Sequence, residues 1–167
     1  TINGIVVSNG SLSINTDWSS DEVYLLSSAN SIPNGGTLTL SPGVVVKGRH
    51  HSARLTVNGT LIADADPENP IVFSSERDDS SGGDTNGDGN ATTPAPSDWI
   101  GIDFSSSSTG NLLDNVVIRY AGYSSIQGET GVSIGIATSD LTISESLIAD
   151  GVFRSILVRN ASPTIVD

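Results

Sequence analysis

One stretch of this sequence carries the residue types that hold a hard cation. Asp84-Thr85-Asn86-Gly87-Asp88-Gly89 sets oxygen-bearing side chains at alternate positions and closes on a glycine, the pattern D-x-[DN]-x-[DN]-G that opens an EF-hand-type loop. Calcium takes about six to eight oxygen ligands. Alternate side chains converge when the backbone curls, Gly89 permits the sharp turn, and Asn90 adds a backbone carbonyl. The second half of the pattern is missing: the position that needs a bidentate Glu falls on Ala95, which has no side-chain oxygen. A complete EF-hand is therefore excluded, and the remaining ligands must come from Asp78, Asp79 or Glu76, with Asp98 a weaker source. The expected metal set is Asp84, Asn86, Asp88, Asn90, Asp78 and Asp79, and the expected ion is calcium. Its expected role is structural, ordering a loop whose residues each cost about 1–2 kcal/mol to fix. The competing reading is a solvated acidic loop of ordinary turn residues. Mutual repulsion of the acids favours a cation.

Other residues offer weaker chemistry. His50-His51 are adjacent, and adjacent side chains of an extended segment point apart, so a solvent-facing turn is expected rather than a shared metal. A lyase-like site would need carboxylates and a basic residue on one outer face. Arg119 and Arg154 lie on late coils, with Asp103, Asp114 and Asp150 near them in sequence, and isolated charges on an outer face are usually solvated. No catalysis is expected within this chain. Trp18, Trp99, Tyr120 and Tyr123 could stack on sugar rings, although Trp18 fits an N-terminal cap and Trp99 fits packing beneath the acidic loop. Asn58-Gly59-Thr60, Asn90-Ala91-Thr92 and Asn160-Ala161-Ser162 match the glycosylation acceptor pattern, which is common by chance in Ser/Thr-rich chains.

The elements that must position these residues are short. Apolar bursts of three to six residues recur along the chain, among them Leu38-Thr39-Leu40, Val44-Val45-Val46, Leu55-Thr56-Val57, Ile71-Val72-Phe73, Val116-Val117-Ile118, Val132-Ser133-Ile134, Leu141-Thr142-Ile143 and Ile156-Leu157-Val158. They are rich in β-branched residues and bounded by Gly, Asn, Asp, Ser or Pro, which are strand and turn signals. No stretch holds a helical apolar period for long, and only Ser19 to Ser28 suggests one or two helical turns. A sandwich would show longer alternation and Asn-Gly hairpins. Internal spacing favours a solenoid instead. Leu141-Thr142-Ile143 recurs at Pro163-Thr164-Ile165, Val132-Ser133-Ile134 at Ile156-Leu157-Val158, and Val116-Val117-Ile118 at Leu141-Thr142-Ile143. The expected fold is all-β: a right-handed parallel β-helix of about six coils over residues 1–167. It comprises an N-terminal cap region at 1–35, an acidic insert at 76–98 and C-terminal coils at 99–167 without a visible cap. Within a coil, Leu141 and Ile143 should face in and Thr142 out. Gly59, Gly101, Gly122 and Gly151 sit where corners are needed.

Composition narrows the partners. Nineteen acids against seven bases give a net charge of −12, which repels nucleic acid and anionic membranes. No apolar run approaches the ~18 residues of a membrane span. There is no cysteine, hence no disulfide or zinc-thiolate site. Methionine is absent even from position 1 and no leader pattern is present, so Thr1 is expected to follow a processing cut or an excision from a longer chain.

From Pro42 to Gly122 the chain resembles the right-handed parallel β-helix repeat segments of bacterial secreted and surface proteins. The residues that carry this are Pro42-Gly43-Val44-Val45-Val46-Lys47, Leu55 to Leu61, Pro70-Ile71-Val72-Phe73, the insert, Asp98-Trp99 and Val117-Ile118-Arg119-Tyr120-Ala121-Gly122. The resemblance implies the fold and an extracellular or cell-surface location, and leaves the activity open. The expectation is a calcium-stabilised structural or adhesive module that self-associates through the ends of the rod, since unpaired sheet edges invite pairing. The alternative is a carbohydrate-binding module or a fragment of a polysaccharide lyase or hydrolase, with a glycan or surface ligand as partner.

Overall fold

The computed structural model describes residues 4–167; Thr1, and with it the expected processing cut and the first residues of the expected cap, lies outside the described residues. Every regular element among the described residues is a strand, and none is a helix. The strands run in threes. The first coil is β1 (Ile5–Val7), β2 (Gly10–Ser11) and β3 (Asn15–Trp18). The second is β4 (Val23–Leu26), β5 (Ala29–Ile32) and β6 (Thr37–Leu40). The third is β7 (Val45–Gly48), β8 (Arg54–Val57) and β9 (Thr60–Asp64). The fourth is β10 (Ile71–Ser75), β11 (Gly101–Phe104) and β12 (Asn111–Asp114). The fifth opens with β13 (Val116–Arg119), makes an antiparallel hairpin of β14 (Ser125–Ile126) and β15 (Glu129–Thr130), and resumes with β16 (Val132–Ile136) and β17 (Leu141–Ser144). The sixth is β18 (Leu147–Ala149), β19 (Arg154–Val158) and β20 (Thr164–Ile165).

Each third strand pairs in parallel with its counterpart in the next coil. The result is three parallel six-stranded sheets, β1-β4-β7-β10-β13-β18 (sheet A), β2-β5-β8-β11-β16-β19 (sheet B) and β3-β6-β9-β12-β17-β20 (sheet C). This is a parallel β-helix of six coils.

Alternation along each strand fills the interior. Leu38, Leu40, Leu55, Val57, Leu141 and Ile143 are buried, and Thr39, Thr56 and Thr142 between them are half-exposed. Register then stacks like upon like. Ile32, Val57, Phe104, Ile136 and Val158 form one column in sheet B. Tyr24, Val46, Phe73, Ile118 and Ile148 form another in sheet A. Trp18 and Tyr24 stack at 4.3 Å between ring centroids inside the rod.

Several local expectations change. Ser19 to Ser28, the one helix-like stretch, contains strand β4, because Tyr24 and Leu26 are needed in the interior column. The cap region at 1–35 is regular coil from Ile5 onward, with β1 to β5 already in the three sheets. Of the three proposed repeats, only one is in register: Thr142 lies beside Thr164. Ile134 pairs with Ile156, two residues earlier than the spacing suggested. Val117 pairs with Leu147, whereas Leu141 pairs with Asn111, so Val116-Val117-Ile118 and Leu141-Thr142-Ile143 are different sides of one coil.

Phe104 is fully buried between Val57 and Ile136, and truncating it leaves a void that rigid neighbouring strands cannot close. Phe104→Ala should lower unfolding free energy by about 3–5 kcal/mol. Thr56→Ala, on the outward side of β8, should change it by less than about 0.5 kcal/mol. Equilibrium urea unfolding of both variants checks the inside–outside assignment, which equal losses would contradict.

Candidate metal centre

Sheet A has an outer face made by alternate residues of its strands, and the insert between β10 and β11 lies on it. Val23 and Val45 meet Gly82 of the insert: a Cβ at Gly82 would come within 2.8 Å of Val23 Cγ2, so a larger residue would lift the loop. Beside them in register are Leu25, Lys47 and Ser74. Lys47, the only lysine, is fully buried there. Its ammonium donates to the carbonyls of Asp78 (2.9 Å) and Gly83 (2.7 Å) and to Thr85 Oγ1 (3.1 Å), so all three N–H bonds are used. Burial pulls its pKa below the ordinary lysine value, and the charges of Asp78, Asp79, Asp84 and Glu76 pull the other way.

Both ends of the insert are tied as well. Arg49 Nε donates to Glu76 Oε2 at 3.3 Å. Asp98 accepts from Ser75 Oγ (2.6 Å), the Ala95 amide (3.0 Å) and Arg77 Nη1 (3.0 Å). Trp99 then enters the rod against Gly48, where a Cβ would lie 2.5 Å from Trp99 Cβ, and its indole N–H donates to the Arg119 carbonyl. Trp99, expected to pack the insert against the coil, belongs to the interior core of the rod.

Held this way, the insert brings three carboxylates together. One oxygen of each of Asp79, Asp84 and Asp88 lies within 4.8 Å of the others. Asp84 is wrapped by its own turn: Oδ1 accepts from the amides of Gly87 (2.7 Å) and Asp88 (3.1 Å), and Oδ2 from that of Gly89 (2.9 Å). Gly87 and Gly89 have φ of 75° and 68°, the left-handed region that glycine enters at no steric cost. Hydrogen bonds from Gly89 first, then Gly87 and Asp88, hold the Asp84 pKa below the usual aspartate value. Oδ1 of Asp79 and Oδ1 of Asp88 are buried and have no hydrogen-bond partner. A buried carboxylate oxygen without a partner bears a full desolvation cost. A cation among the three carboxylates would offset their mutual repulsion and the cost of burying these oxygens. The donors are all oxygen, which suits calcium or magnesium rather than zinc or copper.

The other expected ligands do different things. Asp78 turns into the protein: Oδ2 accepts from Ser74 Oγ (2.5 Å) and Oδ1 from Ser80 Oγ (2.5 Å). Asn86 bridges inside the turn, with Nδ2 donating to Asp88 Oδ2 (2.9 Å) and Oδ1 accepting the Asp88 amide (3.2 Å). Asn90 is exposed. Glu76 and Asp98 serve the ends of the insert.

The groups considered for catalysis are spread over all three sheets. Arg119 on β13 pairs with Asp150 at 2.7 Å and lies over the Tyr120 ring, Arg154 on β19 pairs with Glu129, Asp103 on β11 accepts from Gln127, and Asp114 on β12 accepts from Ser144. Trp18 and Trp99 are buried and closed to a ligand, whereas Tyr123 is half-exposed and packs on His51 at 4.5 Å. Two features were missed from sequence. One is Lys47, a lone cation in an apolar burst on a very acidic chain, which was itself a signal. The other is the hairpin over residues 120–131, which covers the outer face of β16. The chain matches no protein-family model, no curated protein and no solved structure.

Lys47→Met keeps the apolar stem and removes the ammonium, leaving the nearby acids uncompensated. Its expected cost is about 3–5 kcal/mol in urea unfolding, with the insert opened to protease; a cost under about 1 kcal/mol would show that the ammonium does not anchor the insert. The depressed pKa of Asp84 has a definite sign. Its contribution to loop stability is complete above the unfolded aspartate pKa and is lost as pH falls through the lower folded value. NMR titration of the Asp84 carboxyl carbon in the metal-free protein should give a midpoint below that of an unfolded aspartate, and a midpoint at or above it would refute the wrapped geometry.

Proposed function

We propose that this chain is a calcium-stabilised structural module of an exported or cell-surface protein, of the kind its sequence resembles. The observation that carries the reading is that Asp79 and Asp88, each with a buried, unpartnered oxygen, cluster with a carboxylate that its own turn has already oriented. Asp79, Asp84 and Asp88 would hold the ion, with carbonyls of the insert or water completing the shell. The ion would supply no reaction chemistry. It would neutralise three acids that repel one another and fix the outer half of a loop whose inner half Lys47 already fixes.

An external location fits this division of labour. Extracellular calcium modules work at affinities near 10⁻⁴–10⁻³ M, roughly what an incomplete ligand set would give. A chain with no cysteine loses nothing in an oxidising medium. Self-association is the second component. Among the described residues, the outer strands at either end of the rod are paired on one side only, and Ile5, Ile14, Leu147 and Ile165 are exposed there. Head-to-tail contact between copies would continue all three sheets and generate an open filament.

Thermal unfolding with and without calcium tests the first component. At a calcium concentration about 100 times Kd, stability should rise by about 2.7 kcal/mol. Asp79→Asn and Asp88→Asn should each abolish the rise while leaving the metal-free protein at least as stable as before, since each removes a repelling charge. An equal rise in the variants would refute the site. Sedimentation at increasing concentration tests the second: growth of large species, blocked by Leu147→Lys with Ile165→Lys, is expected, and a strictly monomeric protein in calcium contradicts it.

A further inference from the structure

A second concave site lies beside the insert rather than under it. A cleft of about 210 Å³ opens between the β7–β8 corner and the two ends of the insert. Its walls carry Arg49, His51, Glu76, Arg77 and Asp98. In a chain with seven bases and two histidines, this concentration of them is local and specific. The two ion pairs leave much of their capacity unused. Arg49 reaches Glu76 through Nε alone, at 3.3 Å, and Arg77 reaches Asp98 through Nη1 alone, at 3.0 Å. Among the described residues, the Nη groups of Arg49 and Oε1 of Glu76 have no side-chain partner. Asp98, by contrast, is fixed by Ser75 and the Ala95 amide, so that wall is rigid.

The charges of the cleft cancel: two guanidinium groups face two carboxylates, on a protein of net charge −12. An anionic ligand is repelled by the molecule as a whole, and a cation meets the two arginines. What fits is a neutral molecule whose neighbouring groups both donate and accept, so that one hydroxyl gives its proton to Glu76 while the next accepts from Arg49. Adjacent hydroxyls of a sugar ring have this property. An aromatic ledge adjoins the cleft, because His51 packs on the half-exposed Tyr123 at 4.5 Å with the rings tilted by 41°. An aromatic face left open to solvent offers a surface for the C–H face of a pyranose. The volume lies below that of drug-sized pockets, about 300–1,000 Å³, and suits a single sugar ring.

We infer that this cleft binds one ring of a neutral hexose glycan, with vicinal hydroxyls on the Arg49–Glu76 and Arg77–Asp98 pairs and the ring against Tyr123 and His51. The site does not rest on the ion, since none of these groups belongs to the Asp79, Asp84 and Asp88 cluster.

The test is an NMR titration of the isotope-labelled chain, with calcium present, using neutral tetrasaccharides of glucose, mannose and galactose, and tetragalacturonate as the acidic counterpart. At least one neutral probe should shift amides at 48–51 and 75–77. Tyr123→Ala and Glu76→Gln should each weaken that probe roughly tenfold or more, with the strand circular dichroism unchanged. Tyr123 is exposed enough for its loss to spare the fold. The inference is overturned if no neutral probe perturbs these residues, if tetragalacturonate binds as tightly as the best neutral probe, or if both variants bind like the parent chain.

Discussion

A single buried ammonium organises the outside of this rod. Lys47 sits where an outward-facing residue of sheet A should meet water, and instead meets Asp78, Gly83 and Thr85. An uncompensated ammonium out of water would cost several kcal/mol, so the insert that covers Lys47 must also satisfy it. The constraint is mutual. The insert has no apolar burst of its own, and between the ties at its two ends Lys47 helps hold it against an entropy cost of about 1–2 kcal/mol per residue. Its two carbonyl contacts fix the backbone just before Asp79 and just before Asp84. The three-carboxylate cluster is therefore a consequence of where the lysine lies.

The interior imposes a different discipline. Columns such as Tyr24, Val46, Phe73, Ile118 and Ile148 require one register in each sheet, and the chain keeps it through excursions of very different length. Each coil touches only its neighbours, so an excursion is tolerated wherever it leaves the strands on either side in place. Both large excursions fold back onto an outer face. The insert lands on sheet A, where Gly82 meets Val23 and Val45, and the hairpin lands on sheet B, where Ile126 packs on Gly135 so closely that a Cβ would come within 2.1 Å of its methyl. Trp99, by contrast, returns the chain to the interior against Gly48.

The strands, their alternation and the limits of the insert could be read from sequence because each is a local pattern. The bursts and the interruption at 76–98 need no partner to be recognised. Register was harder. Strands of three to five residues with the same in–out pattern fit one another at several offsets, and only the whole rod selects Ile134 opposite Ile156. The helix suggested at Ser19 to Ser28 gave way for the same reason, since tertiary pairing with β7 outweighs a weak local preference. At the site, the turn around Asp84 followed from its spacing. The choice of Asp79 over Asp78 did not, because adjacent acids point opposite ways and the direction is set by Ser74 and Ser80. The His51–Tyr123 contact joins residues of the third and fifth coils, which no local pattern reveals.

The central claim is that the insert is held from within by Lys47 and completed from outside by a divalent cation. Amide hydrogen exchange resolved along the insert tests it most directly. The Gly87, Asp88 and Gly89 amides donate to Asp84, so calcium should slow their exchange strongly, while the amides of Phe73, Phe104 and Ile136 in the rod stay as they were. Exchange at Gly87 to Gly89 that is the same with calcium and with chelator would contradict the account.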